Sequence, residues 1–380
     1  MRFFNSGSAF TALSVLAATI TLAQTAPTQA AGSADYRPTI TQSVLEDRAT
    51  ATGGILSGDS PESKMADELA NRGVRAFTSG DRTTAFDHWE QAMLLYRSAG
   101  DNAGEGRMLE NLSVIHRMNE NADAALQMSL QALALYQAIG NAQNQPSLYL
   151  NLGSAYRLAE QYDQAIDAYS TGLSIYQRYA DAAGARIMLS LIAQSHVDKG
   201  DFLGSVPFQI ESLQLAEQLG DRAAQAEALS ELGFAHVMMD KPTEAVGYLR
   251  PALAMYQQMG DRAAEVATLN NLGRAAALSE DYTLAMDSYQ KARVIFQQMN
   301  RPAQEAHLLI NLGQAQIGAG ETQAAIFSFQ QAVELTETIR REQQYEMALP
   351  PRVEAAYRNL ATLLQQQNRH EEAREVLQMI

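Results

Sequence analysis

Small and apolar residues recur along this chain with helical spacing, and the pattern restarts every 40 residues. One column of small residues reads Gly73, Ser113, Gly153, Ala193, Gly233, Gly273 and Gly313, mostly preceded by an aliphatic such as Leu112, Leu152, Ile192 or Leu272. A second reads Ala85, Ala125, Ala165, Ser205, Ala245, Ala285 and Ala325. Four residues after it stand Trp89, Tyr169, Leu249, Tyr289 and Phe329, a rule that Ser129 and Gln209 break. A third small column follows at Ala92, Ala132, Gly172, Ser212, Ala252, Ala292 and Ala332. Small residues beside apolar ones at i, i+3 and i+4 let two helices approach closely, because no side chain holds the backbones apart. Each block therefore predicts a helix pair, Ala223–Val237 with Pro242–Met259 being one. Between blocks lie Gly100-Asp101, Gly140-Asn141, Ala180-Asp181, Gly220-Asp221, Gly260-Asp261 and Asn300-Arg301. In the Gly-Asp pairs the glycine ends one helix and the aspartate caps the next. With few β-branched runs and no alternating strands, the fold class is all-α. A fixed period of this size means one supersecondary unit stacked many times, and such stacks present a long surface to partners.

The spacing of Leu152-Gly153-Ser154-Ala155-Tyr156, followed by Ala165 and Tyr169, resembles the tetratricopeptide repeat over roughly residues 61–380. The period exceeds the usual length of about 34 residues, as in the longer-helix variant of kinesin light chains and related adaptors. The resemblance implies a right-handed superhelical solenoid of about eight helix pairs, starting near residues 61, 101, 141, 181, 221, 261, 301 and 349. The last step is irregular: Ala325 and Phe329 recur as Ala373 and Leu377, 48 residues on. This predicts a long helix from about Glu321 to Met347, stopped by Pro350-Pro351. The same segment resembles the end of the repeat region in bacterial, especially cyanobacterial, proteins that carry a C-terminal CHAT domain. CHAT domains are caspase-like and rely on a Cys-His dyad. The sequence contains no cysteine, so it cannot furnish that nucleophile.

At the amino terminus Arg2 precedes an apolar, small-residue run, Ala9–Ala23, and Thr28-Gln29-Ala30 places small residues at positions minus three and minus one of a cleavage site. Residues 1–30 read as a secretory signal peptide, which implies export to the periplasm or the medium. The run is too short and too broken by Thr11, Ser14, Thr19 and Thr21 to cross ~30 Å of hydrocarbon comfortably, so no integral span is expected after cleavage. Residues 31–60, rich in Gly, Ser, Thr and Asp, read as a flexible leader that ends at a helix capped by Ser60 and opened by Pro61. Residues 61–380 form the repeat domain. The formal net charge of −15 disfavours sequence-independent binding to nucleic acid or to anionic membrane surfaces.

Chemistry concentrates in one further column. Asn71, Asn111, Asn151, Asn271, Asn311 and, after the insertion, Asn359 stand two residues before the small position of the first helices, where repeats four and five have Leu191 and Glu231. Asparagine is a poor interior helix former, so six copies need a reason. The family resemblance places this column on the concave face, where asparagines hold an extended peptide. A carboxamide offers both donor and acceptor and can satisfy a peptide bond without reading its side chain. The same residues could instead bond to the neighbouring repeat and stitch the stack. Arg107, Arg117, Arg157 and Arg274 fall on this face by helical spacing and could meet an acidic segment or a terminal carboxylate, or could form inter-helix ion pairs. Leu191, Val197, Phe234 and Val237 make its middle more apolar.

His116, His196 and His236 share one column, which packs helices together. Neighbouring repeats lie about a helix diameter apart, whereas metal ligation needs several groups at once within ~2 Å. No metal site and no cofactor is expected. Tyr136, Tyr176 and Tyr256 read as inter-repeat core. No phosphate loop, zinc-protease signature or nucleophile elbow appears. The sequence thus points to a non-catalytic scaffold that binds a protein or extended peptide in its groove. The alternative is a recognition subunit for a separately encoded CHAT-type protease or other effector, and self-association through the ends of the stack is a further possibility.

Overall fold

A computed structural model describes residues 61–142, 145–342 and 349–380. The predicted signal peptide and leader, and the predicted helix end at Met347, lie outside the described residues. Among the described residues there are sixteen α-helices and no strand. They pair as α1 Pro61–Thr78 with α2 Arg82–Ser98, α3 Asn102–Met118 with α4 Ala122–Ala138, and α5 Pro146–Leu158 with α6 Tyr162–Arg178. Next come α7 Ala182–Asp198 with α8 Phe202–Leu219, α9 Arg222–Met238 with α10 Pro242–Met259, and α11 Arg262–Leu278 with α12 Tyr282–Gln298. The last pairs are α13 Pro302–Gly318 with α14 Thr322–Glu342, and α15 Pro351–Gln366 with α16 His370–Leu377. Consecutive helices pack as antiparallel pairs, the arrangement of a tetratricopeptide solenoid. The described residues fall into two compact units, 61–221 and 222–380.

The turns follow a finer rule than the sequence pattern suggested. A residue with positive φ occurs every 20 residues from Gly80 to Gly320, whether glycine, as at Gly100 (φ 71°), or not, as at Glu160 (φ 57°) and Asp240 (φ 58°). In each the next amide reaches back to close the helix, as Asp101 N–H does to the Tyr96 carbonyl at 2.9 Å and Gln161 N–H to that of Tyr156 at 2.9 Å. That bond satisfies a carbonyl that the helix end would otherwise leave without a donor. Where an aspartate follows the turn it can cap the next helix: Asp101 accepts from Gly104 N–H at 2.8 Å, Asp181 from Gly184 at 2.8 Å, and Asp261 from Ala264 at 3.0 Å, whereas Gln161, Lys241 and Arg301 make no such bond. Turns between pairs and turns within pairs are thus built alike.

Within a pair, two of the sequence columns meet. An added Cβ at Gly73 would lie 2.4 Å from the Trp89 ring, at Gly153 2.6 Å from Tyr169, at Gly273 2.5 Å from Tyr289, and at Gly313 2.9 Å from Phe329. Each large side chain is buried flat against bare backbone. The repeats that break the large-residue rule also lack the glycine. Ser113 stands opposite Ser129, their hydroxyls 2.7 Å apart, and Ala193 occupies the column position whose counterpart is Gln209. The two positions therefore vary together, volume lost on one helix being made up on the other.

Between repeats, buried carboxylates take part. Glu105 accepts from Arg97 at 2.8 Å, Glu265 from Gln257 at 3.1 Å, and Glu305 from Arg293 at 2.9 Å and Gln297 at 2.6 Å. Each joins the first turn of one first helix to the second helix before it, and each is under one-tenth exposed, so pairing is what makes its burial tolerable. Gly273→Ala is expected to destabilise the chain by about 1–3 kcal/mol by overpacking against Tyr289, despite alanine's better helix propensity. Urea denaturation would check this. Adding Tyr289→Leu should cost less than the sum of the two single changes, whereas additive losses would contradict the volume exchange.

Candidate functional site

First helices contact the first helices of neighbouring repeats, α3 with α5 in one unit and α9, α11, α13 and α15 in succession in the other. Second helices pack outside them. The inner layer in each unit is therefore lined by first-helix side chains, and it is here that the asparagine column falls. Asn71 on α1 is exposed, Asn111 on α3 and Asn151 on α5 are buried, Asn271 on α11 and Asn359 on α15 are half-buried, and Asn311 on α13 is buried.

The column divides by what the carboxamides do. Asn151 donates to Glu110 at 3.3 Å and accepts from Arg117 at 3.4 Å. Glu110 is 1% exposed and also accepts from the Tyr136 hydroxyl at 2.8 Å. Asn311 donates to Asn270 at 3.1 Å and accepts from Arg352. These two asparagines stitch adjacent repeats, one in each unit. The carboxamides of Asn71, Asn111, Asn271 and Asn359 hydrogen-bond to no side chain among the described residues.

The predicted arginines are likewise distributed. Arg157 pairs with Asp198 of the next repeat at 3.0 Å, and Arg117 is held by Asn151. The Arg107 guanidinium lies 5.7 Å from the centroid of the Tyr96 ring, a cation–π contact across the repeat boundary. Arg274 differs: it donates to the Met238 sulfur at 3.6 Å and forms no ion pair among the described residues. Burial lowers its pKa below the usual arginine value, although a guanidinium stays charged at neutral pH. Of the expected apolar middle, Leu191, Val197 and Phe234 are half-buried, whereas Val237 is 4% exposed and packs into the core with Leu249 and Leu272. It does not line the groove, because it faces the second helix of its own pair.

Sequence reasoning missed Glu110, Asn270, His307 and Arg352. Glu110 and Asn270 precede members of the asparagine column, but no repeated residue type marks that position. Arg352 sits in the first turn of α15, after the insertion, where the 40-residue register no longer applies. The histidine column packs on aromatic rings: His116 edge-on to Phe86 of the preceding pair at 5.5 Å, and, within their own pairs, His196 stacked on Phe208 at 5.4 Å and His236 against Tyr248 at 5.1 Å. Burial lowers the His116 pKa. Tyr136 and Tyr256 are buried beside neighbouring repeats. Among the described residues no cluster of His, Asp or Glu has the makings of a metal site, and no helix is long and apolar enough to cross a membrane.

Because Asn151 and Asn311 are structural partners, changing either to alanine should lower unfolding free energy by about 1–3 kcal/mol, through loss of a buried hydrogen-bond partner. Asn71→Ala should stay within about 0.5 kcal/mol of the native chain. Chemical denaturation of the three variants would check this division, and equal losses at all three would contradict it.

No curated protein sequence matches the chain. The apo form of the quorum sensor NprR from B. thuringiensis is similar in fold, with a TM-score of 0.59 at 15% identity over 89% of this chain and 91% of that one. A signal-transduction ATPase with a tetratricopeptide repeat sensor, from Pyrococcus horikoshii, gives a TM-score of 0.56 at 15% identity over 85% of this chain and 52% of that one. Aspartyl phosphate phosphatase F from Bacillus subtilis gives 0.53 at 10% identity over 87% of this chain and 95% of that one. Such identities speak for the fold alone. A tetratricopeptide repeat family model matches residues 106–178, 184–258 and 264–338, and a second matches residues 353–379. With helix pairs, turns and columns all in register with those matches, the chain belongs to the tetratricopeptide repeat family.

Proposed function

We propose that this protein is an exported, non-catalytic scaffold that holds an extended segment of a partner protein along the inner layer of its first helices. The tetratricopeptide fold is a protein-interaction scaffold, and within each unit its first helices supply a face along which an extended segment can lie. The observation that carries the reading is the division of the asparagine column. Asn71, Asn111 and Asn271 keep carboxamides that no described side chain engages, while Asn151 and Asn311 are committed to the stack. A peptide backbone has alternating donors and acceptors, and a free carboxamide satisfies one of each. Arg2, the apolar run Ala9–Ala23 and Thr28-Gln29-Ala30 support export.

The test is capture of partners from the exported fraction of the source cells with residues 31–380 as bait, beside a triple variant carrying Asn71→Ala, Asn111→Ala and Asn271→Ala. The triple variant spares the stitching asparagines and should melt close to the native chain. A partner retained by the native bait and lost from the folded variant is the expected result. Equal capture by both would move the interaction away from the inner layer.

A further inference from the structure

The third helix pair, α5 with α6, departs from the other repeats at a connected set of positions. Tyr149 on α5 stands where the other 40-residue repeats have Leu69, Leu109, Leu189, Leu229, Leu269 and Leu309. Most of those leucines are buried, whereas Tyr149 is half-buried. Two turns on, Tyr156 takes the column that holds His196 and His236 in the next two repeats. Those histidines lie against the rings of Phe208 and Tyr248 on their second helices. The counterpart of those rings on α6 is Ala168, and Tyr156 packs on no ring among the described residues. A recess of about 250 Å³ lies at this pair, with Tyr149 and Tyr156 on its α5 side and Gln164, Asp167 and Ala168 on its α6 side.

The polar groups of the recess are uncommitted. Tyrosine hydroxyls elsewhere find carboxylates: Tyr96 donates to Asp67 at 2.5 Å, Tyr136 to Glu110 at 2.8 Å, and Tyr357 to Glu337 at 2.7 Å. Those of Tyr149 and Tyr156 make no hydrogen bond among the described residues. Nearby acids are paired, Asp163 with Lys199 at 2.6 Å and Asp198 with Arg157 at 3.0 Å. The exposed Asp167 carboxylate has no cation within ion-pair distance among the described residues. Two tyrosine rings, negative on their faces, share the recess with one unanswered carboxylate, which makes it complementary to a cation.

We infer that this recess is a binding site for the guanidinium of an arginine carried by a partner protein. A guanidinium is planar and weakly hydrated, so it can stack on a tyrosine ring while its N–H fork donates to the two oxygens of Asp167. A lysine ammonium is more strongly hydrated and has no plane to stack. The formal charge of −15 draws a basic partner towards this chain. The site is built from residues outside the asparagine column, so it stands or falls independently of the groove reading.

Fluorine NMR of the protein labelled with fluorotyrosine tests it, the Tyr149 and Tyr156 resonances being assigned from the Tyr149→Phe and Tyr156→Phe variants. The probes are a blocked tripeptide with arginine between two alanines, its citrulline counterpart, which keeps the shape without the charge, and its lysine counterpart. The arginine peptide is expected to shift both resonances saturably and to bind more tightly than the lysine peptide, while citrulline leaves them in place. Asp167→Asn should weaken the arginine peptide about threefold or more, the scale of an exposed ion pair. Because Asp167 is exposed and unpaired, that variant should melt with the native chain. Ala168→Phe rebuilds the ring that its column carries at Phe208 and should abolish binding. No saturable shift, equal binding of the citrulline or the lysine peptide, or undiminished affinity in folded Asp167→Asn would overturn the inference. Should Ala168→Phe fail to fold, Asp167→Asn still decides.

Discussion

Everything in this architecture depends on how closely two helices of a pair can approach. Where Gly153 or Gly273 faces a tyrosine ring, the ring lies on bare backbone with no space for a Cβ. The distance between helices is thereby set by the thickness of one aromatic side chain. Within each unit first helices then reach first helices of neighbouring repeats, as α3 does α5 and α11 does α13, and buried glutamates such as Glu305 bridge from one pair to another. Replacing glycine and aromatic together, as at Ser113 and Ser129, keeps the separation with a hydrogen bond instead of a ring. Changing one alone does not keep it.

The apolar load of the stack lies between helices, both within pairs and across repeats. The inner face is then available for polar chemistry, and the asparagines show both uses of that freedom. Asn151 spends its carboxamide on Glu110 and Arg117; Asn311 spends its own on Asn270 and Arg352. The others remain open to a ligand. One column, repeated for register, thus serves cohesion at Asn151 and Asn311 and, in the function proposed above, recognition at the others.

Much of the fold was legible because its determinants recur. The small columns, the helix breaks and the caps each repeat with a step of 40 residues, and the helices begin where those signals lie, as with Arg222–Met238 for the expected Ala223–Val237. The turns within pairs were harder to see as equivalents of the turns between them, because Glu120, Glu160, Asp240 and Glu280 adopt positive φ without being glycine. What the sequence could not disclose was the pairing of side chains across repeats. Glu110 and Asn270 hold no common residue type with their column, so no periodicity marks them. Arg352 follows an insertion that shifts register by eight residues, and only the three-dimensional approach of α13 and α15 brings it to Asn311. Val237 was misplaced for a related reason: a first helix packs on one side and is open on the other, and a 17-residue pattern of mostly apolar residues does not reveal which side each one takes.

The central claim is that a partner lies on the first-helix layer. Photo-crosslinking tests it most directly. A photoreactive amino acid would be placed at Asn71 or Asn271 on first helices, or at the exposed Phe327 or Leu203 on second helices. Irradiation of the folded protein with its captured partner should give crosslinks from Asn71 and Asn271 and none from Phe327 or Leu203. Crosslinks confined to Phe327 and Leu203 would contradict the account.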